Sequence, residues 1–211
     1  MFTTVLSKDA QNALATLGKS GIVDNGYLAG GSALALHYGH RHSEDLDFFS
    51  VHSFDPRAMS ARLKGLGVFV PSFAEGISLI GTFSGVKFSY FQYDYPLLFT
   101  TAKMLGVSVV DPKDIAAMKI AAVMDRGTKR DFVDLYELVK QGVSMEDMFT
   151  LYNQKYKVLE GNLISILRSL RYFDDAEKGD MPDMIKPISW NEVKKFFIAE
   201  SMRLAKKYLE H

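Results

Sequence analysis

The chain has 211 residues, of which 47% are hydrophobic, 12% aromatic and 24% charged; this is enough apolar material for a packed core and excludes a disordered chain. Its 25 Lys and Arg balance 25 Asp and Glu, and the formal net charge of zero excludes a bulk electrostatic binder of DNA or membrane. Cysteine is absent, which excludes a disulfide scaffold, a zinc ribbon and a thiol nucleophile together. No apolar run approaches the roughly 20 residues that cross a bilayer, and the N-terminal segment lacks a signal-peptide core. A cytoplasmic protein without a membrane partner is expected. Residues 209-211 (Leu209-Glu210-His211) read as a tag remnant and are set apart from the fold.

In chain order, helical spacing runs from Ser7 to Leu17, with Leu6, Ala10, Leu14 and Leu17 on one side. Gly30-Gly31 interrupts, and Ser32 to His37 reads as a short apolar helix that Gly39 can end. Asp45 to Val51 is extended; Asp55 to Leu66 is helical, with Pro56 in its first turn. Three extended runs follow, Val68 to Phe73, Ile77 to Phe83 and Val86 to Tyr93, separated by Glu75-Gly76 and Ser84-Gly85. Turns that short make the strands antiparallel, so the sheet is mixed or antiparallel rather than doubly wound. A short strand at Val107 to Val110 precedes a run of helices. Asp111-Pro112 opens one that reaches about Arg126 and stops at Gly127; Thr128 opens the next, ending near Gly142. Thr128-x-x-Asp131, Ser144-x-x-Asp147 and Ser189-x-x-Glu192 have capping-box spacing, and Asp174 to Pro187 reads as a polar connecting loop. The expected fold is α+β: a β-rich core over residues 1-110, then a helical C-terminal region over 111-208.

The chemistry concentrates between Tyr27 and Ser50. Gly30-Gly31-Ser32 lies at a helix N-terminus, where free backbone N–H groups and the helix dipole favour an anion such as phosphate. Twelve residues later comes Asp45-Leu46-Asp47. Residues two apart on a strand share a face, so Asp45 and Asp47 present two carboxylates together while Leu46 and Phe48 point into the core. Paired hard oxygens on a rigid strand suit Mg²⁺, which takes its remaining ligands from substrate phosphates and water. His37, His40 and His42 fit no common zinc spacing.

The order glycine–serine, helix, Asp-x-Asp on the next strand resembles the nucleotidyltransferase superfold, and more narrowly the AbiEii/AbiGii-type nucleotidyltransferase toxins. The resemblance is carried by Gly30-Gly31-Ser32-Ala33-Leu34-Ala35-Leu36, His40-Arg41 and Asp45-Leu46-Asp47-Phe48-Phe49. It continues through Asp114 to Lys119 and through Arg130-Asp131 to Asp134-Leu135-Tyr136, so it spans roughly residues 25 to 140. It implies a small mixed nucleotidyltransferase sheet with flanking helices, and a helical region that completes the active-site cleft. It implies transfer of a nucleoside monophosphate from an NTP to an acceptor, with Mg²⁺ or Mn²⁺ as cofactor. The acceptor would be an RNA 3′ end such as tRNA, or a protein, and a cognate antitoxin would be a partner.

Within that frame Gly30, Gly31, Ser32, Arg41 and Lys129 are candidate nucleotide contacts, and Asp45 and Asp47 the metal ligands. Between Ile115 and Met124 Lys119 is the lone charge in an apolar stretch of helix, costly there unless something pairs with it; the resemblance makes it a cation for the triphosphate. Asp131 has a capping-box explanation of its own, yet it and Asp134 lie in the block where the family places an active-site acid. Both stay candidates, Asp131 slightly favoured. Many nucleotidyltransferases carry a third metal-binding carboxylate on a later strand, whereas Val86 to Tyr93 contains no acid and Asp94 stands only at its end. Either Asp94 or Asp131 supplies that ligand, or one metal with Lys119 suffices. The competing readings are a nucleotidyltransferase acting on a small molecule, a catalytically degenerate module that binds a nucleotide or partner, and a structural adaptor.

Overall fold

The computed structural model describes residues 1–209, and its contacts divide the chain into two compact units, Met1–Asp111 and the chain from Pro112 onward.

In the first unit, helix α1 (Lys8–Ser20) starts where Ser7 accepts the Ala10 N–H and ends at Gly21 in the left-handed conformation, burying Ala10, Ala13, Leu14 and Leu17. Strand β1 (Tyr27–Leu28) leads into α2 (Gly30–Tyr38), which Gly39 closes at φ 61° as its position predicts. Strand β2 (Leu46–Ser50) and helix α3 (Pro56–Leu66), capped by Asp55, precede β3 (Phe69–Glu75), β4 (Ser78–Phe83) and β5 (Val86–Gln92). Two short strands, β6 (Ala102–Met104) and β7 (Val107–Val109), complete a sheet of order β3-β4-β5-β2-β1-β7-β6.

The sheet is mixed, as expected: β2 and β5 run parallel, β1 and β7 run parallel, and the other neighbours are antiparallel. Strand β6 escapes the sequence reading, because Leu105 and Gly106 both take positive φ in its two-residue turn and leucine is not a signal for that geometry. A Cβ on Gly18 would run into the Leu105 carbonyl oxygen, so this glycine in the last turn of α1 is what lets the β6–β7 turn pass the helix. Helix α3 packs on β3 and β4, and the buried face of the sheet collects Phe48, Phe69, Leu79, Phe83 and Phe88. Side chains alternate along each strand, so Asp47, Ser89, Ile80 and Phe73, paired across β2, β5, β4 and β3, form a row on the opposite face.

In the second unit α4 (Pro112–Asp125) packs against α5 (Lys129–Lys140), α6 (Met145–Tyr156) and α7 (Leu159–Ser169). A short α8 (Asp174–Glu177) lies inside the stretch expected to be loop, and α9 (Trp190–Leu209) follows. The capping boxes Thr128/Asp131 and Ser144/Asp147 are both formed, and at the third the Ser189 hydroxyl accepts the Glu192 N–H at 3.2 Å. Leu209 is the last residue of α9, while Glu210 and His211 of the expected tag remnant lie outside the described residues. Among the described residues no helix is long and apolar enough to cross a membrane.

Candidate active site

The chain leaves β1 with the Ala29 N–H donating to the Asp47 carbonyl at 2.9 Å, then turns at Gly30, whose φ is 66°. A Cβ at Gly30 would sit 3.3 Å from Asp47 Oδ2, so glycine serves both the left-handed backbone and the close approach to the carboxylate. Gly30, Gly31 and Ser32 form the first turn of α2, whose leading N–H groups lack intrahelical acceptors and carry the positive end of the helix dipole. The Ser32 hydroxyl is buried. It donates to the Asp45 carbonyl, and Ser43 Oγ lies 2.8 Å away, so its described role is to fasten the segment that carries Asp45.

Asp45 stands one residue before β2, not within it as the sequence reading has it. The two carboxylates nonetheless share a face. Lys87 Nζ is 3.8 Å from Asp45 Oδ1 and Ser89 Oγ donates to Asp47 Oδ1, and Lys87 and Ser89 are two apart on β5. Both aspartates are half-buried, Asp45 with 32% of its side chain exposed. Among the described residues no group of three or more His, Asp or Glu is gathered for a metal. The donor set is therefore two carboxylates beside a helix N-terminus, which fits a hard divalent cation completed by phosphate oxygens and water.

The helical unit holds a second constellation. Lys119 Nζ lies 2.8 Å from Asp131 Oδ1 and 2.6 Å from Asp134 Oδ2, with both carboxylates fully buried and the lysine 5% exposed. Three residues apart on α5, the two acids meet the same amine. Arg126 grips Asp131 with two hydrogen bonds, Nε at 2.9 Å and Nη2 at 3.0 Å, and Thr128 Oγ1 adds a third at 2.7 Å. Burial pushes the Asp131 carboxyl up, but the Lys119 charge and the Arg126 guanidinium outweigh it and hold it well below the usual carboxylate range. The pairing that an inward lysine requires is thus supplied by the two acids that the sequence singles out.

The residue pattern that defines the family described as "Nucleotidyl transferase AbiEii toxin, Type IV TA system" matches residues 12–76 and 77–205. The chain belongs to this family. It is 38% identical over 211 residues to an uncharacterised protein of Aquifex aeolicus (strain VF5), covering 98% of each chain. Its fold is similar to that of the Helicobacter pylori protein JHP933, with a TM-score of 0.58 at 19% identity over 96% of this chain and 94% of that one. It is also similar to the nucleotidyltransferase toxin MenT4 of Mycobacterium tuberculosis, with a TM-score of 0.52 at 18% identity over 97% and 91%. The α+β expectation, with a mixed sheet and a helical C-terminal half, is borne out.

Other candidate residues of this AbiEii family member have local partners. Arg41, a candidate for phosphate, is 3% exposed, with Nη1 donating to the His42 carbonyl at 3.0 Å. Lys129 donates to the Gly179 carbonyl at 2.8 Å and lies 5.6 Å over the Trp190 ring, which ties α5 to the α8–α9 segment. Asp94 is exposed, accepts from Gln92 Nε2 at 2.9 Å and lies five residues beyond Ser89 along the chain. Two polar contacts go unforeseen. Ser89 gives no motif signal, and only the pairing of β2 with β5 brings it to Asp47. Lys155 forms a fully buried pair with Asp114 at 2.9 Å; its spacing from Met148, Leu151 and Tyr152 places it on the inward face of α6 and is a signal that could have found it.

Proposed function

We propose that this AbiEii nucleotidyltransferase moves a nucleoside monophosphate from an NTP to an RNA 3′ end such as that of tRNA, or to a protein, with release of pyrophosphate. The observation that carries the proposal is the carboxylate pair Asp45 and Asp47 fixed beside a glycine-led helix N-terminus. A divalent cation, Mg²⁺ or Mn²⁺, held by these two aspartates would neutralise charge on the triphosphate. Gly30 and Gly31 offer backbone N–H groups to phosphate oxygens. Ser32 keeps the Asp45 segment in place. Lys119 supplies a positive charge for the triphosphate, and Asp131 or Asp134 orients or deprotonates the acceptor. Asp131, gripped by Lys119, Arg126 and Thr128, and Asp134, whose carboxylate meets the same Lys119 amine at 2.6 Å, both stay candidates for that role. As a toxin of a toxin–antitoxin system, it would act in the cytoplasm with a cognate antitoxin as partner.

The absence of an acid in β5 favours one second reading, a catalytically degenerate module that binds a nucleotide or partner without turnover. Incubation with each of the four labelled NTPs, Mg²⁺ or Mn²⁺, and total cellular RNA or protein separates the two. Label transfer by the wild type, abolished in the Asp45→Ala, Asp47→Ala double variant, is the expected result. NTP binding without transfer under any condition would establish the binding module instead.

A further inference from the structure

We infer that Ser89 is a positioning residue for the metal site: its hydroxyl sets the orientation of the Asp47 carboxylate and thereby the affinity for a divalent cation. The inference rests on the proposed role of Asp45 and Asp47 as metal ligands. Strand β5 lies inside the sheet, between β4 and β2, so Ser89 is carried on a strand hydrogen-bonded along both edges. The parallel register sets Ser89 opposite Asp47, and its Oγ donates to Asp47 Oδ1. On the other side of Ser89 in the same row stands Ile80 of β4, which has no side-chain polar atom to compete for the hydroxyl. Ser89 is 6% exposed, so water has little access to it.

The other Asp47 oxygen is bounded by Gly30, where a Cβ would come within 3.3 Å of Oδ2. The carboxylate is thus restrained by the Ser89 hydroxyl on one oxygen, while the absence of a Cβ at Gly30 leaves room beside the other. That removes side-chain rotation which metal binding would otherwise have to arrest. A hydrogen-bond partner behind a metal ligand changes affinity without touching the metal. Because β5 offers no acid anywhere along its length, Ser89 is also the position from which a side chain on the neighbouring strand could reach the cation beside Asp47.

The test is the binding of Mn²⁺, read as loss of the free-ion electron paramagnetic resonance signal, for wild type and three variants, with thermal melting as the check on folding. Ser89→Ala should weaken Mn²⁺ binding about 10- to 100-fold. Ser89→Thr, which keeps the hydroxyl and suits a strand, should restore it to within about threefold. Ser89→Asp should melt lower than wild type in EDTA, because two carboxylates then face one another across paired strands, and should gain more in melting temperature on adding Mn²⁺ than wild type does. Equal Mn²⁺ affinity in Ser89→Ala and wild type would overturn the inference while leaving the metal site in place. A loss in Ser89→Ala that Ser89→Thr fails to restore would assign the effect to packing and overturn it too. A wild type that binds Mn²⁺ no better than the Asp45→Ala, Asp47→Ala variant would remove the metal reading, and this inference with it.

Discussion

Two pairs of aspartates in this chain teach opposite lessons about one side chain. Asp45 and Asp47 are held at the start of the central strand of a β-sheet by serine hydroxyls and backbone groups, and both keep contact with solvent. Asp131 and Asp134 sit on a helix, fully buried, around one lysine and, for Asp131, an arginine as well. Solvent access is what a pair of metal ligands needs, and the strand pair has it. A carboxylate that never meets water must be matched by charge inside the protein, and the helix pair is. The first pair is therefore replaceable at little cost to folding, whereas the second is part of what holds the helical unit together.

The largest expected effect tests that contrast directly. Lys119→Ala leaves two buried carboxylates without their shared amine, and the cost should be about 3–5 kcal/mol of stability, read from urea denaturation. The Asp45→Ala, Asp47→Ala double variant should stay within about 1 kcal/mol of wild type, the range of surface changes, although it loses nucleotide transfer. If both variants lose similar stability, the contrast drawn between an accessible pair and a buried pair is wrong.

Much of this could be seen in the sequence, for identifiable reasons. Gly30, Gly39 and Gly127 punctuate where their positive φ is needed, and Ser7, Asp55, Thr128 and Ser144 cap where short polar side chains satisfy helix N–H groups. Such signals act within three or four residues, so local order reveals them. The relation of Lys119 to Asp131 was within reach for a different reason: a charge in an apolar helix demands a partner, and the next helix offers one. What stayed hidden depends on contacts between distant segments. Ser89 meets Asp47 across 42 positions, through a strand register that no local pattern encodes. Arg41 reads as a basic loop residue until the fold buries it.

A second expectation concerns acid. Asp131 has a native pKa below its ordinary value of 3.8, opposed by burial but lowered more by Lys119 and Arg126. The unfolded chain therefore binds its proton first as pH falls. The stability this carboxylate contributes is complete above that ordinary value and is lost as pH drops through the native one. Glu146, lowered to about 2 mainly by hydrogen bonds from Arg203 with Lys207 adding, acts in the same window and with the same sign, but its solvent exposure screens the contribution. Urea denaturation between pH 5 and pH 2, roughly the window below ordinary carboxylate values, should show stability falling with pH. Asp131→Asn should flatten that slope more than Glu146→Gln does. A reversed order would place the acid sensitivity on the surface network rather than in the buried cluster.

The smallest effect bears on where the boundary between the two kinds of charge lies. Lys129 begins α5, two residues before Asp131, and as a basic residue in that block it is a candidate for phosphate. Its amine already donates to the Gly179 carbonyl, stands over Trp190 and lies 4.0 Å from Glu177, and 14% of its side chain is exposed. Moving to a triphosphate would break one charge-assisted hydrogen bond and one cation–π contact, each worth on the order of 1 kcal/mol, before any gain. Lys129→Met keeps the aliphatic stem and removes only the charge, so it should cost about 2 kcal/mol of stability and leave NTP affinity within about twofold of wild type by calorimetry. An affinity loss of tenfold or more, with little change in stability, would move Lys129 from the structural charges to those that meet the nucleotide.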